Sequence, residues 1–268
     1  MSDQPYFPEN EDETSRLEGK TEKQAVIDQA RWAGLQPGMR ILDVGCGPGI
    51  TTAILAETAQ PGGSAVGIDR SEERITHANS KYAAPNVEFV CRNFFHDLSD
   101  LGQFDFIWVR FVLEYFLKES PGLVKHLTHS LKPGGILFIG DLDQNCMIHY
   151  GIPERLERNM LKIAEYQMLN NNFDPYVGRK LTAYLINAGL TDIQANLCAH
   201  HLIYGELSEF DRWNWWQKME IGARRSGWTF DDYDNGFDGF VNEFKEFIKR
   251  PERFTYTPLI LARGVKQT

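Results

Sequence analysis

The sequence predicts an α/β fold built on a doubly wound, mostly parallel sheet with helices on both faces. From Arg40 onward, short runs of β-branched and aromatic residues alternate with helical patterns, and this alternation is typical of βαβ units. The chain has 268 residues, of which 42% are hydrophobic, and this is enough for one large core with insertions. We therefore expect a domain that folds on its own.

Seven segments are predicted to form the strands of this sheet, because each is a short run rich in β-branched or aromatic residues. In chain order they are RILDV, SAVGID, VEFV, FDFIWV, GILFIG, DIQANL and FTYTPLILARGV. The last two are expected to form an antiparallel hairpin. The sheet would then be seven-stranded, with an antiparallel last strand.

Residues that start and stop helices mark the segments between these strands. Thr21 and Gln24 form a predicted capping box, and Gly34 is placed to end that first helix. Ser71 is a predicted N-cap, and Pro121 suits the first position of a later helix. These signals predict that helices begin close to residues 21, 71 and 121.

Changes in composition predict how the chain is organised. The N-terminal stretch is polar and acidic, whereas two later stretches interrupt the strand–helix alternation and are rich in Met, Asn and aromatic residues. We expect the two interruptions to be helical insertions that pack together as a lid over the sheet. The predicted division is a mobile flap at 1–20, a cofactor-binding core at 21–143, a lid insertion at 144–176, a continuation of the core at 177–204, a second helical insertion at 205–253 and a last core strand at 254–268.

The charge balance and the cysteine pattern disfavour several kinds of partner and site. A formal net charge of -9 disfavours nucleic acid and anionic membrane surfaces. No apolar run approaches the length of a membrane span, and no C-x-x-C pair occurs among the four cysteines. We therefore expect a cytoplasmic protein without nucleic acid or membrane as partner. Both a monomer and a homodimer remain open.

The stretch MRILDVGCGPGIT predicts a nucleoside-binding turn after the first strand. Its glycines allow a ligand to approach the backbone closely, and Asp69 closes the next strand, where a carboxylate can accept ribose hydroxyls. A dinucleotide and S-adenosylmethionine are the competing ligands. Ile50 stands where the dinucleotide motif needs a small residue, and Asp43 would repel a pyrophosphate but suits an ammonium group. The stretch therefore favours S-adenosylmethionine.

Five motifs in order resemble those of class I S-adenosylmethionine-dependent methyltransferases of the broad small-molecule type. They are LDVGCGPG, VGIDRS, VEFVCRNFFHDL, FDFIWVRFVLEYF and HSLKPGGILFIGD, and together they extend over about residues 24–141. The resemblance implies a Rossmann-like sheet and S-adenosylmethionine as cofactor. It also implies methyl transfer by in-line displacement to an O, N or C atom of a small molecule. An NAD-type oxidoreductase and a non-catalytic S-adenosylmethionine-binding protein are the alternatives.

The resemblance also implies residues that would hold the methionine and ribose parts of the cofactor. Gly45, Cys46 and Gly47 would lie against it with their backbone, and Asp43 would orient its amino end. Asp69 would hold the ribose.

The same resemblance implies residues that would contact the adenine, and one further residue at the methionine end of the cofactor. Arg70 would flank the adenine, and Asn93 with the amide of Phe94 would contact its edge. The family often has Asp at the position of Asn93, and an Asn oxygen can still accept from the adenine amino group. Arg110 would line the methionine end of the pocket.

A hydroxyl or protonated amine acceptor would require a general base, and several residues are candidates. His149 is the preferred catalytic candidate, because insertions after the fifth strand commonly face the substrate in the family that the chain resembles. His200 and His201 are further candidates, and strand alternation would point only one of the two inward. No metal site is expected. The candidates for substrate contacts are Tyr115, Tyr150 and Trp213.

Overall fold

The computed structural model describes residues 21–267, and the flap predicted at 1–20 lies outside this range. The strands are β1 (Arg40–Val44), β2 (Ser64–Asp69), β3 (Val87–Cys91), β4 (Phe104–Arg110), β5 (Leu131–Leu142), β6 (Ile148–Tyr150), β7 (Thr191–Tyr204) and β8 (Phe254–Val265). The helices are α1 (Lys23–Ala33), α2 (Ile50–Thr58), α3 (Glu72–Tyr82), α4 (Ser120–Leu127), α5 (Glu154–Asn170), α6 (Leu181–Asn187), α7 (Glu209–Ser226) and α8 (Gly236–Ile248).

The strands form one mixed sheet in which neighbours run β3, β2, β1, β4, β5 and β8. The first five strands pair in parallel, and β8 is antiparallel to both β5 and β7. Thr255 of β8 pairs with His149 of β6 on one edge and with Ile203 of β7 on the other. The short strand β6 therefore pairs with β8 on the same side as β5 does. The predicted doubly wound sheet with its antiparallel last strand is confirmed, and β6 adds a strand that the sequence did not predict.

Helices cover both faces of this sheet and create two hydrophobic clusters. On one face, α1, α2 and α3 contribute buried side chains such as Val26, Leu55 and Ile75. On the other face, α4 and α6 contribute Val124 and Leu181. Neighbouring residues of β1 point into opposite clusters, as strand geometry requires. Burial on both faces explains why the parallel strands are nearly continuous apolar runs.

A third hydrophobic cluster joins the helices of the two predicted insertions. Leu156 of α5, Trp215 of α7 and Phe240, Phe244 and Phe247 of α8 are all buried in it. The aromatic residues in these segments therefore form a small core of their own, beside the two clusters that flank the sheet.

The helix signals predicted at Ser71 and Gly34 are confirmed, whereas Pro121 is the second residue of α4 and not the first. Ser71 caps α3 by accepting a hydrogen bond from the amide of Arg74, and Gly34 ends α1 in the left-handed conformation at φ 103°. The predicted capping box at Thr21 is wrong, because α1 has Glu22 at its N-cap and no side-chain cap. The Gln24 amide donates instead to Asp28 one turn later, at 2.7 Å.

Candidate functional site

A cleft of about 1170 Å³, counting the part open to solvent, lies at the carboxyl ends of β1, β2 and β4. Since β2 and β4 flank β1 on opposite sides, the order in which successive strands are added to the sheet reverses at this point. Ligands of doubly wound sheets bind at such switch points. Ten predicted site residues line the cleft: Asp43, Gly45, Cys46, Gly47, Asp69, Arg70, Phe94, Arg110, Tyr115 and His200.

The glycine-rich turn after β1 adopts a backbone that only glycine tolerates easily. Gly45, Gly47 and Gly49 have φ values of 72°, 55° and 93°. A Cβ on Gly45 would lie 2.6 Å from a methyl of Val112, and one on Gly49 would lie 2.7 Å from the Cβ of Ala78. Tight packing against the protein therefore explains two of these glycines.

The amides of this turn are directed at acceptors within the protein. Gly45 and Cys46 both donate to the carbonyl of Ile68, at 2.8 and 3.0 Å. Gly47 donates to Oδ2 of Asp69 at 3.0 Å, and Gly49 donates to the carbonyl of Cys46 at 3.1 Å. These four amides are bonded within the protein and are therefore not directed at a phosphate.

Asp69 is a buried carboxylate at the end of β2 that holds the turn in place. It is 6% exposed, and its two oxygens accept from the amides of Gly47 and Ser71. A carboxylate has about four lone-pair sites, so it can accept further hydrogen bonds on the cleft side. Asp69 is thus both a structural acceptor and an acceptor available to a ligand.

Asp43 is a second buried carboxylate in the cleft, and it has little compensation for its charge. It is 2% exposed, and the Thr52 hydroxyl donates to its Oδ2 at 2.6 Å. The pKa of Asp43 is raised from 3.8 to about 7, mainly by burial and also by the charge of Asp69, while the Thr52 hydrogen bond and Arg110 oppose the rise. A cationic ligand group beside Asp43 would supply the missing counter-charge.

Arg110 brings a positive charge to the same end of the cleft. Its guanidinium carbon lies 4.4 Å from the ring centroid of Phe111, and burial lowers its pKa to about 10 although Asp141 and Asp43 stabilise the cation. Asp141 is fully buried and accepts from the amides of Leu142 and Glu114. Burial and the charge of Glu114 raise the pKa of Asp141 well above its ordinary value. This end of the cleft therefore concentrates buried charge of both signs.

The residues assigned to the adenine are divided between the cleft and its surroundings. Phe94 and Arg70 line the cleft, and the Arg70 guanidinium lies 5.5 Å from the ring centroid of Phe116. Asn93 is not among the lining residues, and its Oδ1 accepts from the amide of Phe95 at 3.1 Å. The Asn93 side chain thus stabilises the turn after β3 in this structure.

The preferred base His149 lies in the insertion cluster and is not among the residues that line the cleft. Nδ1 contacts the Thr255 hydroxyl at 2.8 Å, Nε2 lies 3.1 Å from the carbonyl oxygen of Cys146, and the ring packs edge-on against Trp215 and Phe247. Burial lowers the pKa of His149 to about 4. A neutral, enclosed imidazole of this kind suits a packing role.

Another histidine, His200 of β7, does line the cleft. Its ring lies 5.2 Å from that of Phe111 between centroids, and the neighbouring His201 packs edge-on against Trp215. Only one member of this pair lines the cleft.

The predicted substrate residues are divided between the cleft and the protein surface. Tyr150 and Trp213 are 71% and 39% exposed and do not line the cleft, whereas Tyr115 does.

Two further kinds of site find no support in residues 21–267. Burial and the charges of Asp43 and Asp69 raise the pKa of Cys46 well above its ordinary value, so this thiol stays protonated and is a poor nucleophile. Within the same residues, no group of three or more His, Cys, Asp or Glu side chains is placed to hold a metal. That part of the chain also has no helix with the length and apolar character needed to cross a bilayer.

Residues 11–195 match the family described as a methyltransferase domain, which is more than half of the chain. The chain belongs to this methyltransferase family. A demethylmenaquinone methyltransferase of Lactococcus lactis is 34% identical to this family member over 104 residues, which are 37% of this chain and 40% of that protein. The chain spans less than half the length of the curated relatives it matches, 40–45% in the first three. The resemblance stated from the sequence motifs is confirmed.

Solved structures confirm the Rossmann-like fold of this methyltransferase-family chain. A cyclopropane-fatty-acyl-phospholipid synthase-like protein of Lactobacillus casei superposes with a TM-score of 0.61 and 14% identity, over 94% of this chain and 91% of that one. Phosphoethanolamine N-methyltransferase 2 of Haemonchus contortus superposes with a TM-score of 0.55 and 18% identity, over 92% of this chain and 53% of that one. The latter structure is a complex with phosphomonomethylethanolamine and S-adenosylhomocysteine.

Sequence reasoning missed Glu114 and Lys218, which also line the cleft of this methyltransferase-family chain. Glu114 follows β4 within an otherwise apolar run, VLEYF, and that isolated charge was an available signal. Lys218 lies in the tryptophan-rich helix α7, where only the helical phase and the packing of the insertion decide which residues face the cleft. No local pattern identifies it.

Proposed function

We propose that this protein transfers the methyl group of S-adenosylmethionine to an O, N or C atom of a small molecule bound in the cleft. The orientation of the glycine turn is the observation that carries the proposal. Its amides donate to the carbonyls of Ile68 and Cys46 and to the Asp69 carboxylate, while Asp43 and Asp69 line the cleft with carboxylates. Such a site fits a ligand with an ammonium group and ribose hydroxyls and opposes a pyrophosphate.

The proposed cofactor contacts follow from the charges and donors of the cleft. Asp43 would pair with the amino group of the methionine part, and the free lone pairs of Asp69 would accept the ribose hydroxyls. Arg70 and the amide of Phe94 would contact the adenine, and Arg110 would lie at the methionine end. Asn93 would take part only if its side chain turned away from the amide of Phe95.

Catalysis would depend mainly on alignment and exclusion of water. The bound cofactor supplies a methyl group that its sulfonium activates for displacement. Phe111, Tyr115 and Phe116 provide an aromatic wall that keeps the acceptor region dry. His200 is the imidazole that lines the cleft, so it is our candidate to take a proton from a hydroxyl or amine acceptor.

The proposal extends to the setting in which the protein works. Four free cysteines and the net charge of -9 support a reducing cytoplasm and a small-molecule acceptor rather than nucleic acid. The two insertions would supply the acceptor side of the cleft, since Lys218 of α7 lines it. The division of the chain that we propose, into a core and two insertions, also includes a mobile flap at 1–20.

Calorimetry with S-adenosylhomocysteine and, separately, NADH tests the cofactor. We expect binding of the first and none of the second, and the reverse result would identify an oxidoreductase. Asp69→Asn removes the charge and keeps one of the two oxygens that accept from the amides of Gly47 and Ser71, so it should weaken S-adenosylhomocysteine binding about 10-fold or more. Asp100→Asn is the matched control, because that exposed carboxylate pairs with Arg92 outside the cleft. Equal affinities of the two variants would refute the site.

Methyl transfer itself separates an enzyme from a non-catalytic binding protein. The protein would be incubated with methyl-labelled S-adenosylmethionine and a collection of small-molecule acceptors. We expect label in an acceptor together with formation of S-adenosylhomocysteine. Tight cofactor binding without a labelled product across broad acceptor classes would favour the non-catalytic alternative.

A further inference from the structure

Lys218 is a cation of the cleft wall that comes from the second insertion. It lies on α7, is half-buried, and lines the same cleft as the strand ends that form the proposed cofactor site. Its Nζ lies 4.0 Å from Sγ of Cys146, which is a weak acceptor. Within residues 21–267 no carboxylate oxygen lies within 4.0 Å of this ammonium group, so it has no ion pair there.

The carboxylates of the cleft are held by other groups. Asp69 accepts from two backbone amides, and Asp43 accepts from the Thr52 hydroxyl. Glu114 accepts from the side-chain amide of Asn145 at 2.7 Å. Lys218 therefore lines the cleft without an ion pair to any of these carboxylates, which is the arrangement expected where a ligand supplies the anion.

We propose that Lys218 selects an acceptor that is a small organic acid, by pairing with its carboxylate. This inference rests on the proposed methyltransferase function and names the substrate class of the same site. The segment after β4 adds the apolar and aromatic side chains Phe111, Val112, Tyr115 and Phe116 to the lining, beside the charged Glu114, so the body of the acid is a flat or apolar group. An acid of this kind would place its charge at α7 and its acceptor atom towards the strand ends.

Lys218 could instead hold the carboxylate of the cofactor, and the structure favours another residue for that task. Arg110 already lies among Asp43 and Asp141 at the end of β4, where the methionine part would bind. Lys218 lies on a separate element that belongs to the insertion cluster, whose buried members include Trp215 and Met219 of α7. The cofactor and acceptor cations are therefore on different parts of the chain.

Lys218→Met tests the inference, because methionine keeps the length and apolar stem but removes the charge. Lys218→Arg keeps the charge. Lys162→Met is the matched control, since Lys162 is a lysine of the neighbouring insertion helix α5 that pairs with Glu165 and does not line the cleft. Each protein would first be titrated with S-adenosylhomocysteine. The resulting complexes would then be titrated with salicylate, vanillate and ferulate and with the methyl ester of each.

We expect at least one acid to bind the wild-type complex about 10- to 100-fold more tightly than its ester. Lys218→Met should abolish that preference and leave affinity for S-adenosylhomocysteine unchanged, whereas Lys218→Arg should retain part of the preference. Lys162→Met should behave as wild type. In turnover of a bound acid, Lys218→Met should raise KM more than it lowers kcat.

The outcomes separate this inference from the function on which it rests. Absence of S-adenosylhomocysteine binding to the wild type would overturn both. If the cofactor product binds but no acid is preferred over its ester, the acceptor class is wrong and the proposed function stands. A loss of S-adenosylhomocysteine affinity in Lys218→Met would also overturn the inference, since Lys218 would then serve the cofactor.

Discussion

Asp43 allows a quantitative test, because the geometry that suits a cationic ligand also makes the unliganded protein sensitive to pH. The carboxylate is 2% exposed, and burial raises its pKa from 3.8 to about 7. Asp43→Asn removes the ionisable group while its amide oxygen can still accept from the Thr52 hydroxyl. The variant is nearly isosteric, so cavity formation should contribute little to the change in stability.

The sign and size of the effect follow from proton linkage. Between pH 4 and 7 the folded state holds a proton on Asp43 that the unfolded state has lost, so the free energy of unfolding falls as the pH rises. A pKa shift of about three units corresponds to about 4 kcal/mol, reached above pH 7. Asp43→Asn has no carboxyl group at this position, so its free energy of unfolding does not fall for this reason. Its stability relative to wild type should rise by about 2 kcal/mol between pH 5.5 and pH 8.

Urea unfolding of both proteins at the two pH values measures this difference directly, and all other titrating groups cancel in it. Asp43→Asn should also bind S-adenosylhomocysteine about 10- to 100-fold more weakly at pH 8, because a charge-assisted hydrogen bond to the ammonium group is lost. A stability difference that does not change with pH would refute the raised pKa. Unchanged binding would refute the role of Asp43 in holding the amino end.

Two further predictions concern the turn and the insertion. Gly45→Ala should destabilise the protein by about 2 kcal/mol or more in thermal or urea unfolding, because φ is 72° and the new Cβ would lie 2.6 Å from a Val112 methyl. An unchanged unfolding midpoint would contradict the close approach of Gly45 to Val112. His149 has a pKa of about 4 when folded against 6.5 when unfolded, so its contribution to stability is present above pH 6.5 and falls by up to about 3 kcal/mol towards pH 4. His149→Gln should flatten that part of the stability profile, and an identical profile would count against burial of a neutral imidazole.

The cleft position of the residues that we propose for the cofactor was predictable, because these residues are fixed by position along single strands. Asp43 and Asp69 end or nearly end β1 and β2, and parallel strands bring their carboxyl ends to one edge of the sheet. The sequence could not indicate that the turn amides donate inward to Ile68 and Asp69, since that depends on backbone orientation. Ligand type was inferred from Ile50 and Asp43, and the inward amides support the same inference independently.

The acceptor half was less predictable because it depends on packing between distant segments. His149 was preferred from its place after β5, yet β6 pairs it with Thr255 and turns it into the insertion cluster. His200 lines the cleft at a point where the pairing of β7 with β8 is irregular, between His200 and Ile203. Such an irregularity interrupts simple strand alternation, so residue spacing alone cannot assign the facing side chain.

The division of the site between two parts of the chain has a consequence for how specificity changes. The carboxylates Asp43 and Asp69 are held by hydrogen bonds to Thr52, Gly47 and Ser71 within the sheet and its first turns. The insertion helices bury their own aromatic residues in a separate cluster. Substitutions on the cleft side of α7 can therefore alter the acceptor pocket without disturbing the groups that would bind the cofactor. A family that keeps one cofactor and varies its acceptors needs this separation, because the two demands are then met by different packing interactions.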